Sequence, residues 1–187
     1  MTRSLSRNVR QVAAAALVAL ALVFSASCGD SMMQQGDGSS YLIVDLLQAA
    51  PGGGDSSNFA STLQSSVSSG ADDLGQVTLR MAMKDQTVGV TPTDTNAITI
   101  TGYHVAYVPN TAGLAVPAAF DAAMTGTITT SATTLTFILV PSQAKLQAPL
   151  AGLAGSLFTV ANVTFRGHDQ AGHAVSVTAG ISVTFVQ

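Results

Sequence analysis

The chain has 187 residues, of which only 9% are charged, and the part after position 27 carries ten aspartates, no glutamate and four basic side chains. Four positive against ten negative charges give that part a net charge of −6, which argues against nucleic acid as a partner. Low charge combined with many small and β-branched residues is typical of a β-rich extracytoplasmic domain and not of a disordered chain.

Residues 1–27 have the order of an export signal. Three arginines precede an apolar run over residues 12–24, and small residues at 25–27 lead to Cys28. The apolar run is too short for a retained membrane-spanning helix, which needs about 20 residues. We therefore predict that residues 1–27 are removed on export.

The stretch Phe-Ser-Ala-Ser-Cys at 24–28 resembles the lipobox of bacterial lipoproteins. This resemblance implies that Cys28 is diacylated on sulfur and becomes the new N-terminus. Ser25 stands where lipoproteins usually have Leu, so ordinary cleavage that leaves a secreted protein with a free thiol stays open. Cys28 is the only cysteine and has no intramolecular disulfide partner, which favours the lipid. Gly29 resembles the residue that follows the cysteine in lipoproteins sorted to the outer membrane.

The segment after the cysteine leads into one domain. Residues 28–40 lack hydrophobic periodicity and predict a flexible tether, which leaves 41–187 for a single β-sandwich domain. Residues 41–47 predict a strand buried on both faces, in which Asp45 must be paired or face outward, although a short helix also fits. After a loop of breaker residues at 51–55, apolar residues recur every four positions over 59–67, and we favour a strand there.

Clean alternation of apolar and polar residues then predicts two longer strands. The strand 76–84 places four apolar residues inside: Val77, Leu79, Met81 and Met83. In the strand 97–108 the apolar residues stand at even positions before Thr101-Gly102 and at odd positions after it. A bulge at Gly102 would keep both sets on one face. This strand resembles the third strand of fibronectin type III domains, whose Tyr packs in the core, although the chain has no Trp for the preceding strand.

The strictest alternation lies at the C-terminal end. Every odd position from Val175 to Phe185 is apolar, and a three-residue loop at 170–172 with a left-handed Gly172 would place Phe165 opposite Val177. Two strands are also predicted over 124–129 and 134–140, and one short helix near 146–154. Seven or eight short strands predict an all-β fold, a two-sheet antiparallel sandwich like those of immunoglobulin and fibronectin type III domains.

The Gly-x-Asp-x-x-Gly pattern at 167–172, following a lipid anchor and one sandwich, resembles uncharacterised bacterial lipoproteins. That resemblance implies a localisation in the cell envelope, which the resemblance at Gly29 places at the outer membrane, and it indicates nothing about activity.

Few residues suggest chemistry. His168 and His173 flank one turn and are weak candidates for a metal site, although their opposite parity places them on different faces. Asp72 and Asp73 are weak candidates for calcium, because neighbouring residues point apart in a strand or are solvated in a loop. No motif places a nucleophile, so we expect neither catalysis nor a cofactor.

The sequence thus predicts a lipid-anchored, non-catalytic structural or protein-interaction module, attached to the membrane through Cys28 and contacting a protein of the envelope. A glycan-binding module is the alternative, although it lacks the tryptophans that such sites use. A metal-dependent hydrolase is the third hypothesis.

Overall fold

Strands form where apolar and polar residues alternate. A computed structural model describes residues 38–52, 58–84 and 93–187, so that the predicted signal peptide, Cys28 and the tether up to residue 37 lie outside the described residues. The described part contains eight strands: β1 (Ser40–Ala50), β2 (Thr62–Ser66), β3 (Asp73–Met83), β4 (Ile98–Pro109), β5 (Phe120–Ile128), β6 (Thr133–Val140), β7 (Ser156–Asp169) and β8 (Ala174–Val186).

The strands form two sheets, with the orders β1-β3-β6 and β2-β8-β7-β4-β5. The pairs are antiparallel except that β2 runs parallel to β8, so the prediction of a purely antiparallel sandwich is wrong at this edge. β2 and β8 lie far apart in the sequence, so no hairpin imposes an antiparallel pairing on them. Just before β2, Ala60 forms an antiparallel bridge with Ala49 at the end of β1.

Aromatic rings from both sheets meet in one core. Phe137 of the three-stranded sheet packs edge-on against Tyr103 and Phe165 of the five-stranded sheet, with ring centroids 5.1 and 5.4 Å apart. Tyr107 and Phe185 form a second edge-on pair at 5.8 Å. Such contacts add to the burial of the rings themselves, so the two sheets are held face to face as the alternation predicts.

The predicted change of parity in β4 is confirmed. Its register with both neighbours shifts between Ile100 and Gly102, and Ile98, Ile100, Tyr103, Val105 and Tyr107 are all buried. One extra residue in a strand inverts the parity of all that follow, which keeps the apolar set on a single face.

A second bulge, in β1, was not predicted. The register with β3 shifts between Val44 and Leu46, so Asp45 is the extra residue. It faces outward and its Oδ1 accepts a hydrogen bond from Arg80 Nε at 2.8 Å. The prediction of a strand buried on both faces is therefore wrong. One face of β1 points to the core, and the inward positions change from even to odd numbers at Asp45.

The C-terminal hairpin has the predicted register. Phe165 lies opposite Val177 and Val163 opposite Ala179. Gly172 has a φ of 89°, and its N–H donates to the Asp169 carbonyl at 3.0 Å. The left-handed backbone at the end of this loop requires the glycine.

The predicted helix near 146–154 is wrong in position. The helix α1 spans only Ser142–Lys145, and turns follow it. Pro149 disfavours a helical conformation at the residue before it and has no N–H to donate, so the helix ends early. Gly152 and Gly155 then adopt φ of 84° and 101°, which no helix contains. The described residues also form two short 3-10 helices, at Val67–Ser69 and Asp94–Asn96.

The described residues belong to one compact unit, which has two distinct ends. The near end is where β1 begins and contains the β7–β8 turn at 170–173. The far end is where β1 finishes, opposite the start of β3, and contains the connections at 110–119 and 141–155.

Candidate functional site

A buried ion pair joins the start of β3 to the end of α1. Lys145 Nζ donates to Asp73 Oδ1 at 2.9 Å, and the exposed fraction of both side chains is 0%. The same group donates to Ser69 Oγ at 3.0 Å and to the Ala71 carbonyl at 2.8 Å. Asp73 Oδ1 also accepts the Gly52 N–H at 2.7 Å. Charges this deeply buried persist only when paired, so the pair fixes three chain segments to one another.

No sequence motif singles out Lys145. It is the only charged residue between Pro141 and Gly155, in a stretch rich in Ala and Leu. A lone lysine in an apolar stretch, without an acidic neighbour in the chain, indicates a carboxylate partner that is distant in the sequence. This was the available signal.

Asp72 and Asp73 have separate hydrogen-bond partners, and the expectation of a solvated loop is wrong for Asp73, which is fully buried because it pairs with Lys145. Asp72 Oδ1 accepts the Ser142 N–H at 2.6 Å, at the start of α1. Hydrogen bonds from the backbone and side chain of Ser142, aided by the charge of Lys145, outweigh burial and lower the pKa of Asp72. Asp73 instead faces the ammonium of Lys145, which occupies the position that a bound cation would take.

The two candidate histidines contact the same aspartate through different atoms. Asp169 is 6% exposed, and its Oδ2 lies 2.9 Å from His173 Nδ1, while its Oδ1 accepts the N–H groups of Ala171 and His173 at 3.0 and 2.9 Å. His168 Nδ1 lies 3.1 Å from the Asp169 backbone oxygen. Burial opposes ionisation of Asp169, but the hydrogen bonds from His173 and Ala171 outweigh it and lower its pKa. Asp169 therefore organises the turn.

The chain enters the domain directly against this turn. A Cβ at Gly38 would collide with the Asp169 carboxylate and would lie 3.4 Å from the His173 Cβ. The absence of a side chain at Gly38 thus allows the segment before β1 to pass over the β7–β8 turn. Within the described ranges, no three His, Cys, Asp or Glu side chains are grouped closely enough to hold a metal ion.

A polar cluster on the outer face of the five-stranded sheet was not anticipated. Asp121 Oδ1 lies 3.1 Å from Arg166 Nη1, with which it forms a hydrogen bond, and also 3.1 Å from His104 Nδ1, with which it forms none. An open depression of about 340 Å³ borders Asp121 and Arg166. His104 and Arg166 both stand at even, outward positions of their strands, which predicts that they lie on the same face of the sheet. The position of Asp121 beside them depends on the register of β5, which no local pattern predicts.

The far end carries several exposed large apolar side chains. We define the apolar tip by four of them, with exposed fractions of 74, 55, 50 and 48%, respectively: Leu146, Phe158, Leu114 and Val108. The segments 110–119 and 146–155, which supply two of them, contain no charged residue. Phe158 follows the even, outward parity of β7, which was the available signal. Large apolar side chains that are exposed at one end of a domain, two of them in uncharged segments, are typical of an interaction surface.

The described residues include no helix long and apolar enough to cross a membrane. Comparisons of the chain with family models, with curated proteins and with solved structures find no match.

Proposed function

We propose that this chain is a lipid-anchored protein of the cell envelope whose sandwich is a non-catalytic protein-interaction module. The signal-like N-terminus and the single cysteine at its end support the anchor. The interaction role rests on the apolar tip, which lies at the far end while the chain enters the domain at the near end. An anchor placed before β1 leaves that apolar end free to meet a partner.

We also propose an immunoglobulin-like connectivity for the domain. The sheet β1-β3-β6 corresponds to strands A, B and E of such domains, and β4, β7 and β8 correspond to C, F and G. In this scheme β5 extends the second sheet as C′ does. No described strand corresponds to D, so the edge of β6 is left without a neighbouring strand.

The anchor is tested through Cys28. We expect the mature wild-type chain to incorporate labelled fatty acid and to sediment with membranes, whereas Cys28→Ala moves to the soluble fraction. A wild-type N-terminus at residue 28 that carries no acyl group would contradict the anchor, and the sandwich would then be a secreted domain.

The interaction role is tested by comparing exposed apolar residues inside and outside the apolar tip. Leu146→Ser with Phe158→Ser alters the apolar tip, whereas Leu46→Ser changes a leucine on β1 that is 47% exposed and lies outside the tip. Because anchor side chains in an interface each contribute more than about 1 kcal/mol, we expect the double variant to lose at least about tenfold in cross-linking to an envelope partner. Leu46→Ser should match the wild type, and equal losses in both variants would contradict the role of the tip.

A glycan-binding module is the second candidate, and Phe158 is the observation that favours it. An aromatic ring that is 55% exposed on an outer sheet face can stack on a sugar. A glycan array separates the two roles: the interaction module shows no binding there, whereas a glycan-binding module binds and loses that binding in Phe158→Ala.

A further inference from the structure

Lys145 and Asp73 hold an amine and a carboxyl group in direct contact and out of water. Their exposed fractions are both 0%, and Nζ lies 2.9 Å from Oδ1, one covalent bond away from the carbonyl carbon. Neither residue is used by the proposed interaction role. The two residues are 72 positions apart, so the contact joins distant parts of the chain.

The two oxygens of Asp73 differ in their surroundings. Oδ1 accepts hydrogen bonds from Lys145 Nζ and from the Gly52 N–H, whereas Oδ2 is buried and has no partner among the described residues. A buried carboxylate normally has both oxygens hydrogen-bonded, so Oδ2 requires an explanation. If Oδ2 were removed, Oδ1 would become a carbonyl oxygen that still accepts the Gly52 N–H. No oxygen of Asp73 would then lack a partner.

We propose that Lys145 and Asp73 condense to an intramolecular amide bond. A proton first passes from Nζ to the carboxylate, which leaves the amine with a free lone pair. The Nζ lone pair then attacks the carbonyl carbon, with the Gly52 N–H stabilising the charge that develops on Oδ1. The C–N bond forms, the bond from carbon to Oδ2 breaks, and Oδ2 leaves with two protons as water. The remaining amide N–H donates to the Ala71 carbonyl.

The amide ties β3 to the segment that follows β6. It closes a long loop and constrains the unfolded chain in the way a disulfide does, which limits the conformational entropy gained on unfolding. The chain has a single cysteine and therefore no intramolecular disulfide. The amide provides a cross-link that does not depend on the redox conditions of the envelope.

Tryptic mapping of the full-length chain, purified in its folded form and then denatured, tests the bond. An acylated Lys145 resists trypsin, so residues 85–166 remain uncleaved and joined to the peptide that ends at Arg80. This branched peptide is expected to be lighter by one water than the sum of its two parts. Cleavage after Lys84 in the same digest is the internal control for complete digestion.

The variant Asp73→Ala removes the carboxyl group and must give ordinary cleavage after Lys145. The digest is made on denatured protein, so the result does not depend on whether the variant folds. Recovery of residues 85–145 and 146–166 as separate peptides from the wild type would overturn the proposal. A modified Lys145 that persists in Asp73→Ala would overturn it as well, since another group would then be attached.

Discussion

Two tyrosine hydroxyls bond to the backbone of β6, and burial should decide which of them matters more for stability. Tyr107 is 6% exposed, and its hydroxyl donates to the carbonyl of Leu139, a fully buried residue, at 2.6 Å. Tyr107→Phe removes that hydroxyl while the ring can keep its contact with Phe185. The buried carbonyl then loses this donor, so we expect a loss of about 1–3 kcal/mol in the free energy of unfolding.

Tyr103→Phe is the matched control and removes two hydrogen bonds. The Tyr103 hydroxyl donates to the Ile138 carbonyl at 3.1 Å and accepts the Ile138 N–H at 3.2 Å. Ile138 is 37% exposed on the free edge of β6, where water can replace both bonds. The expected cost is therefore about 0.5–1 kcal/mol, toward the low end of net hydrogen-bond contributions.

Urea denaturation followed by circular dichroism measures both values, with an unchanged m-value as the sign that the unfolded surface is the same. The variant that loses one bond should be less stable than the variant that loses two. A Tyr103→Phe variant that is as unstable as Tyr107→Phe, or more so, would refute the reasoning from burial.

Three further outcomes follow from the structure. Burial raises the pKa of Tyr103 and Tyr107 above the ordinary 10.0, so their contribution to stability is fully present below pH 10 and falls as the pH rises beyond it. Unfolding midpoints and tyrosinate absorbance should therefore change over the same pH range. The pKa of Asp169 is lowered below 3.8, so its contribution is present above that pH and is lost on further acidification; Asp169→Asn should flatten the acid limb measured by urea midpoints. In Gly75→Ala the new methyl group would collide with the Phe137 ring, and we expect thermal unfolding to show a loss of stability of about 1–3 kcal/mol. In the control Gly70→Ala the φ is 61° and no atom lies within 4 Å of the new methyl group. This control should lose only the cost of a left-handed backbone at alanine, about 1 kcal/mol.

The parts of the fold that depend on local periodicity could be predicted from the sequence. The register of the C-terminal hairpin follows from parity and loop length, because two strands joined by three residues have few ways to keep both apolar sets on one face. The bulge at Gly102 could be placed because a glycine marks the change of parity. At Asp45 the residues on both sides of the bulge are apolar. The bulge there therefore leaves no recognisable pattern in the sequence.

The remaining features depend on contacts between distant residues. No local pattern connects Lys145 to Asp73, because their contact requires β3 and the segment after β6 to lie side by side. The helix was misplaced for a related reason. The spacing of Leu146, Leu150 and Leu153 fits a helical face, but Leu150 is buried through turns that follow Pro149, and Leu146 faces solvent.

Exceptions to the alternation are the residues on which the proposed interaction role rests. Most outward positions of β7 are polar, which makes the exposed ring of Phe158 costly unless something covers it. A residue retained for packing would follow the inward parity of its neighbours, as Phe165 does. Phe158 follows the outward parity, at the end of the domain away from the entry of the chain and in the same end as Leu146 and Leu114. Packing within the domain leaves these side chains exposed, and the partner proposed for the far end would cover them.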